Sequence, residues 1–163
     1  ISASVYANPN DKNMVIRDLD VVILGATEID YDFNVNVTTD SHGNIIGGSG
    51  GHSDTASEAK VTVIVSPLIK GRIPIIKDRV TTITTLGKHV DVFVTERGIA
   101  INPMRTDLLE LLKDSKLKIL DIKELAKIAY SFTGIPTNTQ KRDKIIGVVE
   151  DRTLEVIDYI YQK

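Results

Sequence analysis

The chain has 163 residues, of which 42% are hydrophobic and 26% are charged, a balance typical of a folded domain and not of a disordered chain. A net charge of −2 excludes the basic excess of nucleic-acid-binding proteins, and no apolar run approaches the ~20 residues of a membrane-spanning helix. The absence of cysteine excludes disulfides, thiolate metal ligands and a cysteine nucleophile, and it fits a cytoplasmic location.

The first predicted strand covers residues 20–26, whose core is a continuous apolar run ended by small residues, a pattern typical of a buried strand. The segment 33–37 alternates apolar and polar residues, which places Asn34 and Asn36 on one face of a second strand. Those amides could hydrogen-bond a substrate, and the simpler interpretation is a solvated strand face. Residues 40–44 have the composition of a turn.

A glycine run, Gly47-Gly48-Ser49-Gly50-Gly51, precedes a short predicted helix that Asp54 could cap. Glycine permits positive φ and close approach of a ligand to backbone N–H groups, and such a loop before a helix gathers amide donors. Two chemical uses fit: a phosphate cradle, or an oxyanion hole formed by the backbone of residues 48–51. A flexible linker is the third possibility.

The same five residues match G-x-S-x-G, the nucleophile elbow of serine hydrolases, with Ser49 as nucleophile. A triad would then require His89 as base and Asp54 or Asp78 as acid. The context argues against it, because only two apolar residues precede the run where a full strand is needed. His52 could polarise a carbonyl, bind a carboxylate or anchor the loop. The histidines have no metal-ligand spacing, so no metal site is predicted.

Two further helices are predicted in the second half of the chain. The first should begin near Asn102, acting as its cap, and the second at Asp121, with Glu124 as capping-box partner and an end at Gly134. Further strands are predicted at 61–65, 90–94 and 98–101, and a terminal hairpin pairs 144–149 with 154–161.

Strands that alternate with helices and include buried apolar runs predict an α/β fold. We expect one domain over residues 1–163, with a mostly parallel central sheet flanked by helices and some antiparallel edge strands. Glu96 and Arg97 follow the strand at 90–94 in a glycine turn, where they either face a ligand or are merely exposed.

Five segments, in the same order, carry a resemblance to a known family. They are Ile1-Ser2-Ala3-Ser4, Gly25-Ala26-Thr27-Glu28-Ile29-Asp30, residues 33–37, residues 47–54, and Val94-Thr95-Glu96-Arg97-Gly98-Ile99-Ala100-Ile101-Asn102-Pro103. Together they resemble the citrate lyase alpha subunit and, more distantly, acetyl-CoA hydrolases and acetate or butyrate CoA-transferases. The distant relatives carry Gly-Gly-x-Gly-Gly-Gln, and His52 stands where glutamine is usual, which favours the citrate lyase branch.

The resemblance implies that this chain is the second of two α/β domains of the CoA-transferase type, the C-terminal half of a subunit. It implies exchange of acetyl for citrate on an acyl-carrier thioester, giving citryl-carrier and acetate through a mixed anhydride. A beta subunit, a gamma acyl-carrier subunit, citrate and a homo-oligomer are implied as partners. No cofactor is expected to be bound covalently here, and a coenzyme A-type thioester is the substrate. The catalytic glutamate of related transferases comes from an upstream segment, outside this sequence.

Attack of a carboxylate on a thioester places negative charge on the former carbonyl oxygen, which amide donors from Gly48, Ser49, Gly50 and Gly51 could receive. Citrate is a polyanion, so Arg79, Arg97 or His52 could hold its other carboxylates. The remaining candidates for substrate contacts are Asn34, Asn36 and Glu96. Three alternatives stay open: another CoA-transferase or acetyl-CoA hydrolase, a non-catalytic domain that binds coenzyme A esters, and a serine hydrolase.

Overall fold

The computed structural model of the chain describes residues 3–8, 11–137 and 144–162. The helices are α1 (Ala3–Ala7), α2 (His52–Glu58), α3 (Thr106–Leu112) and α4 (Ile122–Thr133). The strands are β1 (Val21–Leu24), β2 (Glu28–Asp30), β3 (Val35–Asn36), β4 (Val61–Val65), β5 (Ile69–Lys70), β6 (Ile73–Pro74), β7 (Ile76–Lys77), β8 (Val92–Thr95), β9 (Gly98–Ile101), β10 (Ile145–Glu150) and β11 (Val156–Tyr161). Within these ranges, no helix combines the length and the apolar character needed to cross a bilayer.

A four-stranded sheet in the order β1-β4-β8-β9 forms the centre of the fold. Its first three strands are parallel and β9 is antiparallel to β8. A smaller sheet has the order β3-β2-β7, and β5-β6 and β10-β11 are antiparallel hairpins. This topology confirms the predicted α/β class, the mostly parallel sheet, the antiparallel edge strand and the terminal hairpin.

The hydrophobic core lies between the inner face of the central sheet, the small sheet and α4. Ile64 and Phe93 point into it from β4 and β8, and Ile29 and Ile76 enter from the small sheet; all four are completely buried. The buried residues of α4 recur at helical spacing, which gives the helix one apolar face; they are Ile122, Leu125, Ala126 and Ala129.

Helix α4 begins and ends where its sequence signals indicate. The Asp121 side chain accepts a hydrogen bond from the Lys123 N–H, and the Glu124 carboxylate accepts one from the Asp121 N–H, which completes a capping box. The helix ends at Gly134, whose φ of +76° suits glycine. These local interactions confirm both predicted ends.

Helix α3 begins at Thr106 and not near Asn102. Asn102 is buried, and its side-chain amide donates hydrogen bonds to the carbonyls of Gly87 and Val90 while its oxygen accepts the Met104 N–H. The prediction of Asn102 as a helix cap is therefore wrong, because tertiary contacts use the amide to hold a turn before the helix.

Asp54 does not cap α2, contrary to the prediction. The helix follows Gly51 directly, and Asp54 lies within its first turn, buried and hydrogen-bonded to Arg152 Nε at 2.7 Å. This ion pair joins α2 to the β10-β11 hairpin.

The central sheet is covered by helices on one face, so the prediction of β1 as a buried strand holds for its inner face and is wrong for its outer face. Val21 and Ile23 are 52% and 68% exposed, whereas Val22 between them is buried. The strand register places seven β-branched residues on this outer side, which we call the open face: Val21, Ile23, Val61, Val63, Val65, Val92 and Val94.

Candidate active site at the carboxyl edge of the sheet

The parallel strands β1, β4 and β8 end at one edge of the central sheet, where open α/β sheets bind their ligands. The segments that follow these strands are tied to each other. Ser66, after β4, donates its N–H to the Val94 carbonyl at 3.2 Å and its hydroxyl to the Ala26 carbonyl at 3.5 Å. The Glu96 carboxylate, after β8, accepts the Leu68 N–H at 2.9 Å. These hydrogen bonds therefore join the segments that follow β1, β4 and β8 into one continuous surface.

The glycine loop at residues 47–51 reaches this edge and leads directly into α2. Gly50 has a φ of +56°, a conformation that favours glycine, and a Cβ built there meets no atom within 4 Å. Among the described residues, no atom accepts a hydrogen bond from the backbone N–H groups of Gly48, Ser49, Gly50 or Gly51. The loop thus presents amide donors that the described fold leaves available.

His52 fixes the end of this loop to Gly25, the residue that follows β1. Its Nε2 lies 2.9 Å from the Gly25 carbonyl oxygen, which only accepts, so Nε2 carries the proton. Its Nδ1, 2.8 Å from the Thr85 hydroxyl, is then the acceptor. Burial lowers the pKa of His52, which keeps the ring neutral. With both nitrogens used inside the chain, the geometry favours the anchoring role over carboxylate binding.

Asn36 is completely buried, so the interpretation of its strand face as solvated is wrong. Its amide nitrogen donates to Glu28 Oε2 at 2.9 Å and to the Thr39 carbonyl at 3.0 Å. Its oxygen accepts the N–H groups of Thr38 and Thr39, each at 3.0 Å. These four contacts give the side chain a role in shaping the loop after β3.

Asn34 lies in the turn between β2 and β3 and joins it to a remote segment. Its amide donates to Asp30 Oδ2 at 3.2 Å, and its oxygen accepts the Gly87 N–H at 2.9 Å. The Gly87 carbonyl in turn accepts the Asn102 amide at 2.9 Å. A Cβ on Gly87 would lie 1.8 Å from the Asp32 carbonyl oxygen, so glycine is required there by close backbone approach.

Glu28, within the Gly-Ala-Thr-Glu-Ile-Asp motif, is the centre of a buried polar cluster that the sequence did not predict. Its Oε1 lies 2.5 Å from Lys77 Nζ and accepts hydroxyl hydrogen bonds from Ser41 and Thr81. Its Oε2 accepts the Thr81 N–H and the Asn36 amide. Burial opposes ionisation of Glu28, but these bonds, with Lys77 foremost, lower its pKa. The carboxylate is fully engaged within this cluster.

The other charged candidates differ in their surroundings. Arg97 lies above the Phe132 ring, 5.9 Å from its centroid, and its Nε is 3.8 Å from Glu96 Oε1; both charged side chains are more than half exposed. A shallow groove beside them is lined by Thr95, Glu96, Arg97, Gly98, Ile99 and Lys118. Arg79 is exposed after β7, and no described side chain pairs with its guanidinium. Of these charged candidates, Glu96 and Arg97 therefore lie at the carboxyl edge because they follow β8, whereas no described contact ties Arg79 to it.

A serine triad is not assembled. The Ser49 hydroxyl donates to the Gly50 carbonyl, and across the described ranges no histidine nitrogen contacts it. His89 lines a cavity between α2 and the hairpin instead, where Asp54 is paired with Arg152. In the same ranges, no cluster of three histidine or carboxylate side chains could hold a metal ion.

Comparison with known proteins identifies the family. The family model of the citrate lyase alpha subunit (CitF) matches residues 1–163. The citrate lyase alpha chains of Haemophilus influenzae and Klebsiella pneumoniae are 47% and 46% identical over 162 residues, which is 99% of this chain and 32% of each relative.

A solved structure from Streptococcus mutans, described as the alpha subunit of citrate lyase in complex with citrate, is 49% identical, with a TM-score of 0.95 over 99% of this chain and 32% of that one. The chain thus spans about a third of the length of these relatives, less than the half expected from its sequence. The family model and the relatives together show that the chain belongs to the citrate lyase alpha subunit family.

Proposed function

We propose that this chain forms part of the transferase site of citrate lyase, where an acyl-carrier thioester exchanges acetyl for citrate and releases acetate. One observation carries the proposal beyond family membership. The glycine loop is held at the carboxyl edge of the sheet with the N–H groups of residues 48–51 unused by the described fold. A preorganised set of backbone donors is what the developing oxyanion of acyl transfer requires.

In the proposed reaction, a citrate carboxylate oxygen attacks the thioester carbonyl carbon and the thiolate leaves, which gives a mixed anhydride of citrate and acetate. The thiolate then attacks the citrate carbonyl carbon of the anhydride, which forms the citryl thioester and releases acetate. In the tetrahedral intermediate the former carbonyl oxygen bears a negative charge, and the backbone N–H groups of Gly48, Ser49, Gly50 and Gly51 donate to it. Glu28 does not supply the attacking carboxylate, since it is buried and saturated with donors.

Citrate would bind near Arg97, whose charge lies at the same edge and is more than half exposed. Glu96 holds the turn that carries Arg97 by accepting a hydrogen bond from the Leu68 N–H. Arg79 is a weaker candidate for citrate binding, because no described contact ties it to the carboxyl edge. Asn34 and Asn36 would act indirectly, by shaping the segments behind the loop.

The partners follow from the proposed reaction. A gamma acyl-carrier subunit would deliver the coenzyme A-type thioester, and a beta subunit would cleave the citryl product. We place the assembly in the cytoplasm, with the alpha chain as a homo-oligomer, and with no group bound covalently to this chain.

The test is Gly50→Val in a citrate lyase whose alpha chain carries these 163 residues in its matched third. A side chain at this φ strains the backbone and displaces donors, so transfer should fall about 10²–10³-fold in kcat. Cleavage of supplied citryl thioester by the beta subunit should persist. The two half-reactions are measured separately, with circular dichroism as the folding control.

Gly71→Val is the matched control, because Gly71 has the same φ of +56° and the same open surroundings, in the β5-β6 turn. It should lose stability equally and keep transfer. Near-normal transfer in folded Gly50→Val would refute the oxyanion loop. Ser49→Ala should retain most activity, because its N–H remains; a loss of ~10⁴-fold or more would instead favour a serine nucleophile.

A further inference from the structure

The open face of the central sheet is uniformly apolar. Every residue that β1, β4 and β8 direct to this side is valine or isoleucine, and no charge interrupts it. Parallel sheets are found with both faces covered, and their strands accordingly read as continuous apolar runs. The open face has the composition of a buried surface.

Exposure is greatest at the β1 side of this surface. Ile23 is 68% exposed, Val21 52% and Val65 44%. A contiguous exposed group of large apolar side chains on a sheet marks an interaction site.

The edge of β1 is open as well. β1 is the terminal strand of the order β1-β4-β8-β9, and in the described part of the chain no strand pairs with its other side. The strand, Val-Val-Ile-Leu, carries none of the lysines or prolines that protect an exposed edge from pairing. An apolar face and an unpaired edge meet at the same strand.

The length of the relatives points to what covers this surface. This chain spans 32% of each relative, and it matches the Streptococcus mutans subunit at a TM-score of 0.95, so the same fold occurs beside the remaining two-thirds of a subunit. We propose that the open face and the free edge of β1 form an interface inside the alpha chain, occupied by the part of the subunit that this chain does not span. The uncharged surface does not suit an acidic carrier or a phosphate.

The absence of cysteine makes a single introduced thiol a specific probe. Ile23→Cys labels the open face, and Leu111→Cys, on the 76% exposed residue of α3, is the control. Each substitution is made in the 163-residue chain and in a full-length chimera. The chimera is the Haemophilus influenzae alpha chain with its matched third replaced by this sequence. Maleimide labelling rates are followed by mass spectrometry of the peptide concerned. No substrate is involved, so the result is independent of the proposed function.

In the 163-residue chain both thiols should react at similar rates. In the full-length chimera, Ile23→Cys should slow by about 100-fold or more, because labelling then requires local opening of an interface, while Leu111→Cys stays fast. Comparing the two positions within the chimera keeps the test decisive if a variant of the short chain does not fold. Equal rates at both positions in the chimera would overturn the proposal.

A stability measurement on the same chimera provides the second test. Ile23→Lys should lower its Tm by about 5 °C or more, whereas Ile23→Val and Leu111→Lys should leave it nearly unchanged. If instead the short chain dimerises and Ile23→Lys makes it monomeric without affecting the chimera, a second copy is the occupant and the proposal fails.

Discussion

Substitution of Gly87 by alanine tests whether the close approach of two backbone segments organises this fold. The new Cβ would lie 1.8 Å from the Asp32 carbonyl oxygen and 2.9 Å from the carbonyl carbons of Asp32 and Phe33. Ordinary contact distance is about 3.5 Å, so the two backbones must separate by roughly 1.5 Å. No side-chain rotation can relieve a clash with backbone atoms.

That separation also removes hydrogen bonds. The Gly87 N–H donates to Asn34 Oδ1, and the Gly87 carbonyl accepts from the Asn102 amide, both at 2.9 Å. Losing one of these partly buried bonds costs about 1–2 kcal/mol, in addition to the overpacking itself. We therefore expect Gly87→Ala to lower the free energy of unfolding by about 3 kcal/mol or more, and the Tm by roughly 10 °C.

The assay is urea and thermal denaturation followed by circular dichroism. Gly47→Ala is the control, because a Cβ there meets nothing within 4 Å and its φ is not positive. A Gly87→Ala protein whose Tm stays within about 2 °C of the unsubstituted chain would refute the steric reasoning.

Three further predictions concern the polar groups of the fold. Glu28→Gln leaves the Lys77 ammonium buried and unpaired, so urea denaturation should show a loss of about 3–5 kcal/mol, and adding Lys77→Met should recover part of it; additive losses would contradict the pairing. Burial lowers the pKa of His52 in the folded chain, so on acidification the imidazole of the unfolded chain takes up a proton first, and the free energy of unfolding falls as the pH drops below about 6.5. His52→Gln should therefore reduce the loss of stability between about pH 7.5 and 5.5. A pH dependence that is the same in both proteins would contradict this role of His52. Asp121→Ala removes the capping box and should lower the free energy of unfolding by about 1 kcal/mol in urea denaturation. An unchanged free energy of unfolding would show that the cap is redundant.

The sequence predicts the features of this fold that local interactions determine. Helix α4 was placed correctly because Asp121, Glu124 and Gly134 are adjacent to the ends that they define. Helix α3 was placed too early because the Asn102 amide is taken by the carbonyls of Gly87 and Val90, which are 15 and 12 residues away. The preference of asparagine for helix N-caps cannot reveal that distant carbonyl groups compete for its side chain.

Burial and pairing of polar residues were not predictable for the same reason. Asn36 alternates with apolar neighbours like any surface residue, yet it is buried because Glu28 and Thr39 meet it. The Glu28–Lys77 pair joins two strands of the small sheet, whose adjacency depends on topology. The glycine loop was predicted as a donor site from composition, but its attachment to Gly25 through His52 required the structure.

The attachment of His52 has a consequence for the order in which the chain acquires its shape. The ring bridges Gly25, 27 residues earlier, and Thr85, 33 residues later, so the glycine loop is fixed only when three distant segments have met. Closing such loops costs conformational entropy before any contact compensates for it, so we expect these contacts to form late in folding. During synthesis on the ribosome, the loop cannot take its final geometry until the chain has emerged well past Thr85. A shorter product ending before that residue would carry the whole glycine run and still lack an ordered donor array.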